Sequence, residues 1–137
     1  MDITQIVPDG LSTSPREYSP LALAFIGDAV YEVFVRARVL AEANTSANML
    51  HKKAIAYVKA AAQARAAKAL LDTLTEDELA AFKRGRNAKS ATVPKNADLT
   101  DYRYATGLEA LFGYLYLSGE SERLNELMMK AYSASIL

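Results

Sequence analysis

The sequence predicts a single all-α domain, and three observations support this prediction. Apolar residues recur at helical spacing along most of the chain, and no segment shows the strict alternation of a half-buried strand. Residues that favour helix N-caps precede the periodic segments. The length of 137 residues suffices for one sizeable core and is too short for two ordinary domains. We therefore expect one domain over residues 1–137, with its core at about 19–135.

The first predicted helix is apolar on nearly every side. Ser19 provides its N-cap and Pro20 occupies its first turn, where proline is well tolerated. The apolar pattern then continues to Glu42 or Ala43. A helix without a polar face is expected to be central and buried.

The second and third predicted helices are separated by a capping sequence. Ser46 begins the second helix, which is rich in alanine and continues through Leu71. Thr75 opens a capping box (Thr-Glu-Asp-Glu), and the short helix that follows is expected to end near Gly85. The polar stretch 84–96 has no sustained periodicity, which predicts a long loop.

Two further helices complete the prediction. Asp98 caps a fourth helix that reaches Leu117 or Ser118, and Gly119 closes it. A fifth helix begins at Ser121 and runs close to the end of the chain.

Composition excludes several kinds of chemistry. The chain has no cysteine, which removes disulfides, thiolate zinc sites and thiol nucleophiles. A single histidine, His51, leaves no histidine metal cluster or Ser-His-Asp triad, and we expect it at the surface or in an interface. Any catalysis must therefore rest on carboxylates, lysines or hydroxyls. The amino terminus lacks a signal peptide and no apolar run reaches membrane-spanning length, so we expect a cytoplasmic protein without a membrane partner.

The net charge of zero hides an uneven distribution. Residues 46–103 carry eleven Lys and Arg against six Asp and Glu, so the remaining residues carry five against ten. A basic middle segment between acidic ends is weak evidence for a polyanionic partner, and a solvated surface explains it equally well.

Two acidic residues interrupt apolar helices. Asp28 follows Gly27 in the first helix, and Glu109 lies in the fourth. An unpaired carboxylate in apolar surroundings lowers the stability of a fold by roughly several kcal/mol, and a glycine inside a helix lowers it by about 1 kcal/mol relative to alanine. The sequence offers no packing reason for either residue. The helical neighbours of Glu109 include no cation: they are Ala105, Thr106, Phe112 and Gly113.

Two interpretations of these carboxylates remain open at this point. If packing brings them together, they suit a hard cation such as Mg²⁺, which takes oxygen ligands and keeps several waters. The alternative is that each carboxylate pairs with a buried arginine, for which Arg36, Arg38 and Arg103 are available. Glu32, one turn after Asp28, is expected to pair with Arg36.

Two segments resemble a known enzyme family. Residues 25–30 (FIGDAV) and 108–119 (LEALFGYLYLSG) resemble the signature segment and the downstream acidic motif of the ribonuclease III catalytic domain. The resemblance covers about residues 19–119. Residues 57–64 and 95–106 are similar to the Mini-ribonuclease III group, whose members consist of a catalytic domain without the appended double-stranded-RNA-binding domain.

The resemblance implies the helical fold of the ribonuclease III endonuclease domain. It also implies a homodimer that cleaves double-stranded RNA with Mg²⁺. For the Mini group the implied substrate is the 23S ribosomal RNA precursor, and DNA is not an expected partner. By position, Asp28 and Glu109 are the expected catalytic residues and metal ligands. The larger enzymes carry further carboxylates where this chain has Leu21, Ala24 and Thr106. An alternative function is a noncatalytic RNA-binding scaffold with the same fold, but such a scaffold would not need the two carboxylates.

Basic residues on or near the predicted loop are the candidates for RNA contact. Beside a nuclease motif we favour phosphate binding over a merely solvated surface. A stripe of Lys52, Lys59 and Gln63 on the second helix is expected to extend that surface. The aromatic residues of the fourth helix are expected to be core or interface residues: Tyr102, Tyr104, Tyr114 and Tyr116. The predicted RNA-binding residues are Lys83, Arg84, Arg86, Lys89 and Lys95.

Overall fold

Six α-helices make up the part of the chain described by the computed structural model, namely residues 2–89, 95 and 98–136. No strand occurs among these residues, so the all-α prediction is confirmed. Three short 3-10 helices accompany them at Ile3–Ile6, Pro15–Glu17 and Leu71–Thr73. The α-helices are α1 (Pro20–Glu42), α2 (Ala47–Val58), α3 (Ala60–Leu70), α4 (Glu76–Asn87), α5 (Leu99–Leu117) and α6 (Ser121–Ser135).

The predicted caps form where local sequence alone dictates them. Ser19 accepts a hydrogen bond from the Ala22 amide at the start of α1, and Asp98 accepts one from the Asp101 amide at the start of α5. Thr75 forms the expected capping box at the start of α4. Gly119, with a φ of 73°, follows α5 in the left-handed conformation that glycine adopts without strain.

Helix α5 is the central helix of the fold. It packs against α1, α3, α4 and α6, and nearly all of its residues from Ala105 to Tyr116 are buried. The prediction that α1 would be the buried central helix was wrong, because one face of α1 leaves large apolar side chains exposed. Tyr116 is buried and the Tyr104 ring meets the Phe82 ring edge-on at 5.7 Å, so both contribute to the core as predicted.

The predicted second helix is in fact two helices. Lys59 has an extended backbone (ψ 154°) that ends α2 and precedes α3. The bend directs the alanine-rich α3 onto α5 and α6, while α2 packs mainly on α1. Sequence periodicity missed it because both halves are good helix formers and the bend is chosen by these tertiary contacts.

Helix α4 ends close to Gly85, as the sequence predicts, but Gly85 itself lies inside the helix. The helix continues to Asn87, and a Cβ atom at Gly85 would lie 2.6 Å from the Cβ atom of Ala110. The glycine is therefore present because α4 approaches α5 closely.

The described residues contain no helix with the length and apolar character that a membrane span requires.

Candidate metal site

Glycines set the separation of α1 and α5. A Cβ atom at Gly27 would lie 1.7 Å from the backbone oxygen of Glu109, and one at Gly113 would lie 1.9 Å from the backbone oxygen of Leu23. The two helices therefore touch through their backbones, a packing that any larger side chain would prevent. The sequence-based view that nothing in packing explains Gly27 was wrong.

This crossing brings the two candidate carboxylates together. Asp28 follows Gly27 on α1, and its carboxylate lies close enough to that of Glu109 on α5 to raise the Glu109 pKa. Glu109 is half-buried, whereas Asp28 is exposed. The expectation of an apolar surround was therefore wrong for Asp28, whose carboxylate retains access to solvent and to a ligand.

The electrostatics of the pair centre on Glu109. Its pKa is raised from the ordinary value of 4.5 to about 8, first by burial, then by the negative charge of Asp28 and their shared hydrogen bond. A hydrogen bond from Gln63 lowers this pKa, and the charge of Glu32 adds a smaller upward contribution. A carboxyl group that holds a proton so strongly is one that an added cation would stabilise in its ionised form.

The alternative in which buried arginines neutralise the two carboxylates is not what the structure shows. The Nε of Arg36 donates to Glu32 at 2.9 Å, as predicted, and the Arg38 guanidinium lies over the Phe34 ring at 4.6 Å from its centroid. Arg103 is exposed. Within residues 2–89 and 98–136, neither Asp28 nor Glu109 forms an ion pair.

The donor set fits a hard cation held partly by water. Asp28 and Glu109 offer carboxylate oxygens, the ligands that Mg²⁺ prefers. Among the described residues no group of three or more His, Cys, Asp or Glu side chains could surround a metal. Thr106 adds no carboxylate to this set, and its buried hydroxyl donates to the Tyr102 carbonyl at 3.0 Å. Mg²⁺ dehydrates reluctantly and keeps several waters, so two protein carboxylates are compatible with it.

Gln63 belongs beside this site and not on the predicted exposed stripe. Its side chain is only 3% exposed, whereas Lys52 and Lys59 are exposed. The polarity of a side chain within an alanine-rich helix was the signal available in the sequence. Only the bend at Lys59 and the packing of α3 on α5 reveal that Gln63 faces Glu109.

The predicted RNA-binding residues have different surroundings. Lys83, Lys89 and Lys95 are exposed. Arg86 is half-buried, and its Nε donates to the side chain of Asn87 at 3.1 Å. Residues 90–94 and 96 of the predicted loop lie outside the described residues.

Arg84 has a clear intramolecular role. Its guanidinium donates to the backbone carbonyls of Arg16 at 2.6 Å and Tyr18 at 2.9 Å, which ties the segment before α1 to α4. RNA contact by Arg84 would compete with these bonds. Arg84 is therefore expected to contribute to stability, unlike the other four basic residues.

The raised pKa of Glu109 predicts a pH-dependent stability in the absence of metal. Between pH 4.5 and about 8 the folded protein holds a proton that the unfolded chain has released, so the free energy of unfolding should fall across this interval and level off above it. Glu109→Gln should remove that decline and stabilise the metal-free protein at pH 8 by roughly 2–4 kcal/mol. Urea denaturation in EDTA at a series of pH values measures both proteins. The same decline in the Glu109→Gln variant would contradict the prediction.

Known proteins are similar to this chain over most of its length. A family model described as the Ribonuclease III domain matches residues 21–120. A Mini-ribonuclease 3 of Thermoanaerobacter sp. is 54% identical over 110 residues, covering 80% of this chain and 78% of the relative. One of Brevibacillus brevis is 50% identical over 123 residues, covering 90% and 92%. A crystal structure of a Fusobacterium nucleatum protein has a TM-score of 0.77 at 33% identity, covering 86% of this chain and 94% of that one.

Proposed function

The chain belongs to the ribonuclease III domain family, and from that membership we propose that Asp28 and Glu109 together hold the Mg²⁺ ion required for RNA cleavage. The protein is an endoribonuclease that acts on double-stranded RNA. The observation that carries the proposal is the contact of an exposed and a half-buried carboxylate, without an ion pair among the described residues, at a crossing built from glycines.

The two carboxylates have different tasks. Asp28 is accessible from solvent and offers the oxygen that a cation and the RNA backbone approach. Glu109 would give up its strongly held proton when a cation binds, and the close crossing of α1 and α5 keeps both carboxyl groups at one place. When bound, Mg²⁺ supplies an activated water and stabilises negative charge on the phosphate oxygens. No cysteine is present and the single histidine is exposed on α2, so water is the expected nucleophile.

We propose the 23S ribosomal RNA precursor as the physiological duplex, and the cytoplasm as the location, as the similarity to Mini-ribonuclease 3 proteins implies. Incubation of the purified protein with a long RNA duplex, with and without Mg²⁺, tests the activity directly. Cleavage should require the ion and should spare single-stranded RNA of the same sequence. Binding of the duplex without cleavage at any Mg²⁺ concentration would instead support a noncatalytic scaffold.

Homodimerisation is proposed through an apolar stripe on α1. Leu21, Phe25 and Val33 are exposed there, and Phe25 is 82% exposed, which leaves a large apolar ring in water. A two-fold contact along this stripe would bury it and would place two copies of the Asp28 and Glu109 site in one particle, one for each strand of a duplex.

Replacement of Phe25 tests this dimer. Phe25→Glu should convert the protein to a monomer at micromolar concentration, because it places a charge in the centre of the contact. Sedimentation velocity measures the change, and Ile55→Glu, at another exposed apolar position, is the matched control. A wild-type protein that is monomeric with and without RNA would refute the dimer.

The basic residues are proposed to hold RNA phosphates. Alanine at four of them should weaken duplex binding irrespective of sequence. The slope of log affinity against log salt should become shallower by about 0.9 per lost contact. Cleavage at saturating RNA should change less than binding. The four residues are Lys83, Arg86, Lys89 and Lys95.

Arg84→Ala provides the matched comparison. It should lower the melting temperature, because it releases the segment around Arg16 and Tyr18, while leaving the salt slope unchanged. A salt slope in the quadruple variant equal to that of the wild type would show that these cations are merely solvated.

A further inference from the structure

The bend between α2 and α3 is closed by a buried side chain. The Nε2 of Gln63, in the first turns of α3, donates to the backbone carbonyl of Val58, the last residue of α2, at 2.8 Å. The same side chain lies close enough to the Glu109 carboxyl to lower its pKa. Gln63 therefore connects the bend in the chain to the candidate metal site.

The orientation of the amide follows from its partners. The Val58 carbonyl only accepts hydrogen bonds, so the nitrogen of the Gln63 amide must face it. The nitrogen has two hydrogens, and its second one is available to the Glu109 carboxyl. The oxygen, Oε1, does not bond to Val58, and it is a buried atom with no hydrogen-bond partner among the described residues.

An orphaned buried acceptor requires an explanation. Leaving such an oxygen unpaired costs about 1–3 kcal/mol, and native structures contain few of them. Closing the bend needs only the nitrogen, so the structural role of Gln63 does not account for Oε1. A hydrated cation between Asp28 and Glu109 would bring waters whose hydrogens need acceptors.

We propose that Gln63 is a positioning residue of the ion site, which orients the Glu109 carboxylate through Nε2 and offers Oε1 as a third oxygen to the hydrated cation. This inference rests on the proposed function, since it takes Asp28 and Glu109 as the ion's ligands. Residues that orient ligands of this kind change metal affinity about 10- to 100-fold when they are replaced.

Metal binding without RNA tests the proposal independently of activity. Mn²⁺ titration followed by electron paramagnetic resonance gives the affinity, and Mg²⁺-dependent shifts of the melting temperature give a second readout. Gln63→Met keeps the length of the side chain but removes both polar atoms, and should weaken Mn²⁺ binding by about 10-fold or more. Gln63→Glu loses the Nε2 donor to Val58 and Glu109, but it keeps Oε1 and adds a negative charge that attracts the cation. It should bind Mn²⁺ at least as tightly as the wild type while being less stable without metal.

The control variant is Arg65→Met, two residues further along α3. The Nε of Arg65 donates to the Ser135 carbonyl of α6 at 3.0 Å, so this variant also removes a bond from α3 to the backbone but on another side. It should lower the melting temperature and leave Mn²⁺ affinity within about twofold of wild type, because it touches no group of the ion site.

The outcomes separate this inference from the function on which it rests. If Asp28→Asn loses Mn²⁺ binding and Gln63→Met does not, Gln63 has only a structural role. If Asp28→Asn binds Mn²⁺ like the wild type, the site itself is wrong. If Gln63→Met fails to fold, the Mn²⁺ affinity and melting temperature of Gln63→Glu test the proposal instead. Tight binding with a larger metal-dependent gain in melting temperature than the wild type supports the proposal, and weakened binding overturns it.

Discussion

Asp28→Asn and Glu109→Gln are each expected to reduce cleavage of double-stranded RNA by about 100-fold or more at physiological Mg²⁺, while leaving the fold intact. Each change removes one of the two charges proposed to hold the cation but preserves side-chain shape. Loss of either charge weakens both cation binding and the stabilisation of charge on the phosphate. Single-turnover cleavage of a labelled duplex at increasing Mg²⁺ concentrations measures the effect.

A carboxylate outside the site provides the control for these variants. Asp77 is exposed and pairs with Arg16 at 2.8 Å on the surface, an interaction worth at most about 1 kcal/mol. Asp77→Asn should therefore cleave at a rate within a fewfold of wild type. Wild-type rates in both Asp28→Asn and Glu109→Gln would refute the two-carboxylate site.

Stability measurements separate this ion-binding role from a structural one. Neutralising one of two mutually repelling carboxylates should leave the protein in EDTA as stable as the wild type or more so. Breaking a buried ion pair would instead destabilise it by about 3–5 kcal/mol. A large loss of melting temperature in Asp28→Asn would thus favour the structural role.

Gly27→Ala is expected to have the largest effect on stability. The added Cβ would lie 1.7 Å from the backbone oxygen of Glu109, and neither side of that clash is a flexible side chain. The helices α1 and α5 would have to separate at the centre of the fold, with an expected loss of more than about 3 kcal/mol, or about 10 °C in melting temperature. This loss should occur although alanine favours a helix by about 1 kcal/mol over glycine.

The same substitution should impair function below the melting temperature. Separating α1 from α5 moves Asp28 away from Glu109, so Mn²⁺ affinity and RNA cleavage should fall even where the protein remains folded. Gly10→Ala is the matched control, because a Cβ at Gly10 has no atom within 4 Å. A Gly27→Ala protein as stable and as active as wild type would show that the backbones of these helices do not need to touch.

The helices that could be predicted most accurately are those set by short-range interactions. Ser19, Thr75 and Asp98 cap helices through amides three residues away, so local sequence suffices to locate α1, α4 and α5. Glycine was harder to interpret. Gly119 ends α5 as predicted, whereas Gly85 lies inside α4, because an absent side chain serves a turn and a close helix contact equally well.

The sequence by itself determined the all-helical class, most helix boundaries, the family, and the identity of two carboxylates without local partners. Only the tertiary structure decided that Asp28 is exposed while Glu109 is half-buried, and that glycine contacts bring them together. It also turned Gln63 from an expected surface residue into a buried neighbour of Glu109. The physical reason is the sequence separation of the residues that interact. Caps act within one turn of a helix, whereas burial, helix crossing and pKa depend on residues far apart in sequence.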